Sequence, residues 1–283
     1  ISSKKINVKD LISEVIELTD FRNVYGNIGN SKKIATIFKY NEINKPIHSI
    51  TIGEKEPKLS NDGIAIIGAG NFTKMTMLPS LKGAKANLIH IVSSGGVNGS
   101  SLAKKYKILK STTDYDLVLD DKNVDLVMIT TRHNLHAEMV IKALDKGKHV
   151  FVEKPLALNI QELNQIEKAY NKSEGSIMVG FNRRFSPHII KLKSLLNQSP
   201  MNIIATMNAG SLPVDMWVND LKVGGGRIIG EACHYLDLMV YLSGSIIKSV
   251  CINALGENPN KNTDNASILV KMENMFFFSL RQE

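Results

Sequence analysis

The sequence predicts an α/β protein: a doubly wound parallel sheet followed by a smaller α+β domain whose sheet is mixed or antiparallel. Three observations carry this. Short apolar runs at 64–67, 87–92, 126–129 and 149–152 alternate with stretches of helical periodicity, the rhythm of a parallel sheet covered on both faces. Gly68-Ala69-Gly70 follows the first run directly, at a strand-to-helix turn. Beyond residue 200 the alternation gives way to strand-like runs at 203–209, 247–254, 266–272 and 275–280, with one helical stretch, 230–242, between the first two.

Composition narrows the classes. The 283 residues are 43% hydrophobic and 22% charged, which suits a globular chain of about two domains. The net charge of +8 is scattered, with neither aromatic interleaving nor a recognition motif. It points away from nucleic acid and toward a solvated surface or anionic small ligands such as nucleotide phosphates. Cys233 and Cys251 form neither an obvious pair nor a metal cluster, so reduced cytoplasmic thiols and no metal site are expected. No apolar run approaches the ~18 residues of a membrane helix, and no signal-peptide pattern opens the chain. The chain opens without Met and stops inside the second sheet, so it reads as a fragment of a longer protein with weak turnover by itself.

Residues 1–44 come first, with strands at 11–18 and 34–40 around a short helix that Thr19-Asp20 caps. A strand–helix–strand unit of that size buries no core of its own. It resembles the carboxyl-terminal tail of a zinc-type alcohol dehydrogenase domain, which implies such a domain ahead of it in the parent protein. Residues 45–61, with Pro46, Gly53 and Pro57, read as a linker. Residues 62–183 then form a dinucleotide-binding domain. Gly68 permits the tight turn, and Gly70 lets backbone approach a pyrophosphate at a helix amino terminus; Asn71 and Phe72 follow, and Thr73 takes the third small position. The strand at 87–92 ends in Ser93-Ser94, with neither the acid that favours NAD nor the arginine that favours NADP, so both remain open. The segment from Asp125 to Pro155 reads as strand, crossover helix and strand, placing Thr130 to His133 and Glu153-Lys154 on the rim where ligands sit. A helix at 160–170 and a strand at 176–180 close this domain, and residues 184–283 form the second, incomplete one.

Five motifs stand in order: GAGNF, TTRHNLH, HVFVEKPLALN, VGFNRRFSP and GGGRIIGEACHYLDL. Together they resemble the Gfo/Idh/MocA oxidoreductases, over residues 62–283. The resemblance implies a Rossmann domain, a second domain whose mixed sheet faces the nicotinamide, and hydride transfer between NAD or NADP and a sugar or nucleotide-sugar hydroxyl. With the alcohol-dehydrogenase-like tail ahead, it resembles two-domain oxidoreductases of surface polysaccharide synthesis. Lys154 matches the lysine that exchanges a proton with the reacting hydroxyl, and His234 the histidine of GGGRIIGEACHYLDL, the last of these motifs. The family aspartate four residues before that histidine is Gly230 here. Glu231, adjacent but about 100° away around a helix, is the candidate to substitute, and Asp237 stands one turn on to orient the His234 ring. Thr130, His133, Asn134 and His136 match the loop beneath the nicotinamide, with Glu153, Lys154 and Pro155 shaping the cofactor loop. Asn182, Arg183, Arg184 and Trp217 are the substrate candidates: a guanidinium suits an anionic sugar or nucleotide-sugar phosphate, and the indole a sugar face. A homodimer through the second sheet is also implied.

Each of these residues has a plainer reading. Lys154 at a strand end is otherwise a surface lysine, His234 a satisfied core histidine, and His133 and His136 helix-capping residues. Arg183 and Arg184 read equally as interface ion pairs, Trp217 as packing, 224–226 as a loop, and Cys233 as a small buried side chain. At the level of the whole chain, the alternative is a non-catalytic cofactor-binding or structural module of a larger protein.

Overall fold

A computed structural model describes residues 7–40, 47–53, 62–196, 202–213, 215–254, 264–273 and, as backbone, 277–282. The chain divides into two units, Ile1–Ile47 and His48–Glu283. In the first, β1 (Ile12–Glu17) and β2 (Ala35–Lys39) pair in parallel across α1 (Phe21–Gly26). Glu14 accepts hydrogen bonds from Lys33 Nζ at 2.6 Å and Thr36 Oγ1 at 2.9 Å, and the lysine bond foremost holds its carboxyl below the usual range. Val15, Phe21, Tyr25 and Ile37 remain exposed, as two strands and one short helix bury little apolar surface among themselves.

The second unit is built on a seven-stranded sheet. Its strands are β3 (Ser49–Thr51), β4 (Gly63–Ile67), β5 (Asn87–Val92), β6 (Lys110–Thr112), β7 (Leu126–Ile129), β8 (His149–Val152) and β9 (Ile177–Val179). Their order is β3-β6-β5-β4-β7-β8-β9; all pair in parallel except β3, which runs antiparallel to β6 at one edge. Part of the segment read as a linker is therefore strand. Ile52 N donates to Leu109 O, and Thr113 N and Thr112 Oγ1 both donate to His48 O, so the open side of β6 recruits a polar stretch with no apolar pattern of its own. Residues 45–46 and 54–61 of that segment lie outside the described residues.

Strand alternation sorts the core into two layers. Ile66, Ile91 and Met128 face α2 (Leu78–Gly83) and α3 (Val97–Tyr106). Ala65, Ile67, Val127, Ile129, Val150 and Val152 face α4 (Asp116–Leu119), α5 (His136–Asp145) and α6 (Ile160–Tyr170). α6 begins where the side chain of Asn159 accepts from Glu162 N at 2.9 Å, while Glu162 Oε2 accepts from Leu158 N at 2.8 Å. α7 (Pro187–Leu195) leads into the second sheet. That sheet comprises β10 (Asn202–Met207), β11 (Ile247–Ala254), β12 (Ala266–Met272) and β13 (Phe277–Gln282), in the order β10-β13-β12-β11 with β10 and β13 parallel and the other pairs antiparallel. Met275, where the last strand was expected to begin, lies outside the described residues. One face is covered by α8 (Cys233–Ser243), through Met239 against Ala266, Ile268, Val270 and Met272. α2 and α8 are each entered through a π-helical turn, Thr73–Met77 and Ile228–Ala232, where an uninterrupted α-helix was expected for the second.

Candidate active site

β4 pairs with both β5 and β7, so the strand order reverses there, and a crevice opens beyond the carboxyl ends of these strands. Gly68 has φ +116°, and a Cβ on it would lie 2.7 Å from Thr130 Oγ1, so only glycine fits. A Cβ on Gly70 would meet nothing within 4 Å: its backbone is open to the crevice. Thr73 is fully buried and suits its position, because Oγ1 donates to Gly68 O at 2.8 Å and stands 2.7 Å from Thr130 Oγ1. The crevice holds a cavity of about 640 Å³, with Gly68, Gly70, Ser93 and Ser94 along one side and Thr131 and Arg132 along another. Val92, Val97, Leu135 and Met139 give it an apolar wall. An open glycine face at a helix amino terminus, hydroxyls beyond β5 and an apolar wall together fit a dinucleotide.

The other expected cofactor residues divide by environment. Thr130 turns inward to lock Gly68, and its neighbours Thr131 and Arg132 face the cavity instead. Asn71, exposed, and Phe72, half-buried, stand outside the cavity wall. His133 is buried, with Nδ1 2.8 Å from Gly224 O and its ring edge-on to Trp217 at 4.8 Å. Asn134 is exposed and donates its backbone N–H to Val223 O. His136, wholly buried, has Nδ1 2.8 Å from Pro155 O. Both histidines thus carry the loop after β7, the first against the 217–224 segment and the second against the loop after β8. Burial raises the pKa of Glu153, whose carboxylate packs where a Gly180 side chain would be.

Lys154 follows β8 and reaches across to the 224–238 motif. Its Nζ donates to Gly230 O at 2.7 Å and to Glu231 Oε1 at 2.9 Å, with only 16% of the side chain exposed. The π turn at 228–232 widens the helical repeat, so the carbonyl of one residue and the carboxylate of the next both meet one ammonium. His234 is buried, edge-on to Phe181, and its Nδ1 has no hydrogen-bond partner among the described residues. Burial, with Lys154 and Arg183 adding to it, pushes this imidazole down to about 4. Asp237 does not orient that ring. It is held bidentately by Arg184, which donates to Oδ2 through Nε and to Oδ1 through Nη2, because the guanidinium fork satisfies both oxygens of a buried carboxylate. Cys233 is a packed thiol, raised to about 11 by burial.

The remaining substrate candidates separate in the same way. Arg184 is thus an internal ion pair, while Arg183 lines a second cleft of about 530 Å³ together with Glu231, Tyr235, Thr206 and Asn208. Asn182 is exposed in the turn Asn182–Phe185 after β9. Trp217 packs between His133 and Arg132, whose guanidinium lies 5.7 Å over the indole. Arg132 was foreseen only as part of the ligand rim from Thr130 to His133, and Thr113 and Tyr115 in the first cavity and Arg227 in the second were not foreseen. Arg132 lay inside a quoted motif, whereas Thr113 and Tyr115 follow β6, a strand too short to read as periodic.

Residues 63–181 match the Gfo/Idh/MocA oxidoreductase family, described as an NAD-binding Rossmann fold. This segment is therefore similar to the NAD-binding Rossmann domain of that oxidoreductase family. The chain is 29% identical over 194 residues to scyllo-inositol 2-dehydrogenase (NAD(+)) of Bacillus subtilis, covering 66% of this chain and 55% of that protein. It is 29% identical over 150 residues to myo-inositol 2-dehydrogenase of Thermotoga maritima, covering 53% and 45%. The chain thus spans about half the length of these curated relatives. Over 77% of this chain and 65% of the other, its fold is similar to that of levoglucosan dehydrogenase, solved in complex with NADH and levoglucosan, at a TM-score of 0.67 and 22% identity.

Proposed function

We propose that the chain carries the cofactor site and the proton-handling groups of a dehydrogenase or reductase acting on a hydroxyl or ketone of a sugar or cyclitol. The observation that carries this reading is the cluster beyond β8, where Lys154 Nζ, held by Gly230 O and Glu231, stands near a buried His234 with an unpartnered nitrogen. A buried polar atom without a partner is uncommon, and a substrate hydroxyl would satisfy it. The nicotinamide supplies the hydride donor or acceptor. This chain's residues handle the proton: His234, held neutral, accepts the hydroxyl hydrogen bond, Lys154 exchanges the proton and offsets charge on the oxygen, and Glu231 fixes Nζ in place. Glu231 thus takes the part that the resemblance gives to an aspartate at 230.

The inositol and levoglucosan dehydrogenases among the relatives favour a polyhydroxylated substrate. Our reading further includes a nucleotide sugar of surface polysaccharide synthesis, a parent protein with an alcohol-dehydrogenase-like part ahead of this chain, and a cytoplasmic setting suggested by the two thiols. It also includes homodimer pairing through the second sheet, from whose uncovered face Ile204 and Leu269 project.

Titration with NADH and NADPH, read by nicotinamide fluorescence, tests the cofactor site. A screen of cyclitols, sugars and nucleotide sugars then tests the chemistry. Lys154→Met is expected to lower turnover by roughly 10²–10⁴-fold, the scale of one acid–base group, with cofactor binding retained. Unchanged activity of the parent protein carrying that substitution would return this chain to a non-catalytic module whose chemistry lies elsewhere.

A further inference from the structure

Charge accounting around the second cleft leaves one cation over. Lys154 is paired with Glu231 at 2.9 Å, Arg227 with Asp264 at 3.0 Å, and Arg184 with Asp237. Arg183 has no carboxylate partner among the described residues. Its contacts are the neutral phenol of Tyr235, which accepts from Nη1 at 3.1 Å, and the face of the same ring, 4.5 Å from the guanidinium carbon. The side chain is half-buried, so water does not fully solvate it. It lines the cleft that Glu231 also lines, next to the carboxylate that holds Lys154.

A partly desolvated guanidinium has five donors in a rigid fork, matched to the paired oxygens of a carboxylate or phosphate. Ring stacking on Tyr235 orients that fork without consuming it, since only one N–H is spent on the phenol. The neighbouring Arg184 shows the same fork already filled by Asp237. A substrate spanning the 530 Å³ cleft from Arg183 to Glu231, the carboxylate that holds Lys154, would present its reacting hydroxyl at one end and a negative group at the other.

We infer that Arg183 is a substrate-binding residue that selects an acidic sugar, one carrying a carboxylate or phosphate, over a neutral one. This rests on the oxidoreductase reading and names its substrate class. The test measures binding of D-glucuronate, D-glucose 6-phosphate and D-glucose to the full chain by saturation-transfer NMR, with and without NADH, in wild type, Arg183→Met and Arg183→Lys. The acids are expected to bind about tenfold or more tightly than glucose in wild type, the scale of one charge-assisted hydrogen bond. Arg183→Met should abolish that preference with NADH affinity unchanged, and Arg183→Lys should keep part of it. Preference for glucuronate alone identifies a carboxylate, and for the phosphate alone a phosphoryl group; either supports the inference. Equal binding of all three by wild type, or a preference that survives in Arg183→Met, overturns it. Loss of NADH binding with the acid preference intact would instead remove the oxidoreductase reading, because the sugar comparison is read without cofactor too.

Discussion

Gly230 occupies the place where the resemblance puts an aspartate, and a side chain there would meet His133: a Cβ would lie 3.2 Å from its Cε1. Glycine lets His133 pack close, and Glu231 supplies the carboxylate one residue later, at 2.9 Å from Lys154 Nζ. The same logic of close approach governs Gly68, with its positive φ and a Cβ that would come 2.7 Å from Thr130 Oγ1. Gly68→Ala is expected to cost roughly 1–3 kcal/mol, the scale of a strained backbone position. It should lower both the melting temperature and the affinity for NADH; an unchanged melting curve would show that the turn relaxes. The glycine turn was legible from its residues alone. The role of Glu231 was not settled, because its reach depends on a π turn that no local pattern announces.

At the scale of elements, the long periodic ones read best. α6 was expected at 160–170 and is found there, begun by Asn159, which accepts from Glu162 N, and by Glu162, whose carboxylate accepts from Leu158 N. Asn159→Ala removes one cap and is expected to destabilise by about 1 kcal/mol, seen as a lower melting temperature, with Asn159→Asp largely restoring it. The three-residue strands β3 and β6 were not foreseen. Three residues give periodicity too little to act on, and β3 exists because β6 offers it an open edge. That pairing turned part of an expected linker into sheet, while β6, parallel to β5, leads into Thr113 and Tyr115 at the first cavity.

Across the whole molecule, four histidines share one electrostatic condition. Burial lowers the pKa of His90 and His136, and takes His133 and His234 down to about 4. Near neutral pH these rings are neutral in both folded and unfolded chains. Below about 6.5 the unfolded chain takes up protons that the folded one refuses, so stability is lost as pH falls from about 6.5 toward 4. The melting temperature should therefore drop between pH 7 and pH 5; a flat profile would mean that these rings ionise without opening their surroundings. His90 adds Asp121, 2.8 Å from Nε2. Burial alone would raise that carboxyl, but bonds from His90 and Asn123 hold it well below the usual range, and its contribution also fades in acid.

By itself the sequence determined the doubly wound sheet, the mixed sheet after it, the glycine turn and the lysine at the end of β8. All of these follow from local periodicity, short-range turn chemistry and strand polarity, which a chain carries in consecutive residues. Tertiary structure alone decided which charges are paired. Arg183 and Arg184 are adjacent and chemically identical, yet Asp237 engages Arg184 and Tyr235 engages Arg183, 53 and 52 residues away in the chain. Whether a cation is spent on a carboxylate or left for a ligand depends on packing between distant elements, and no spacing along the chain encodes it.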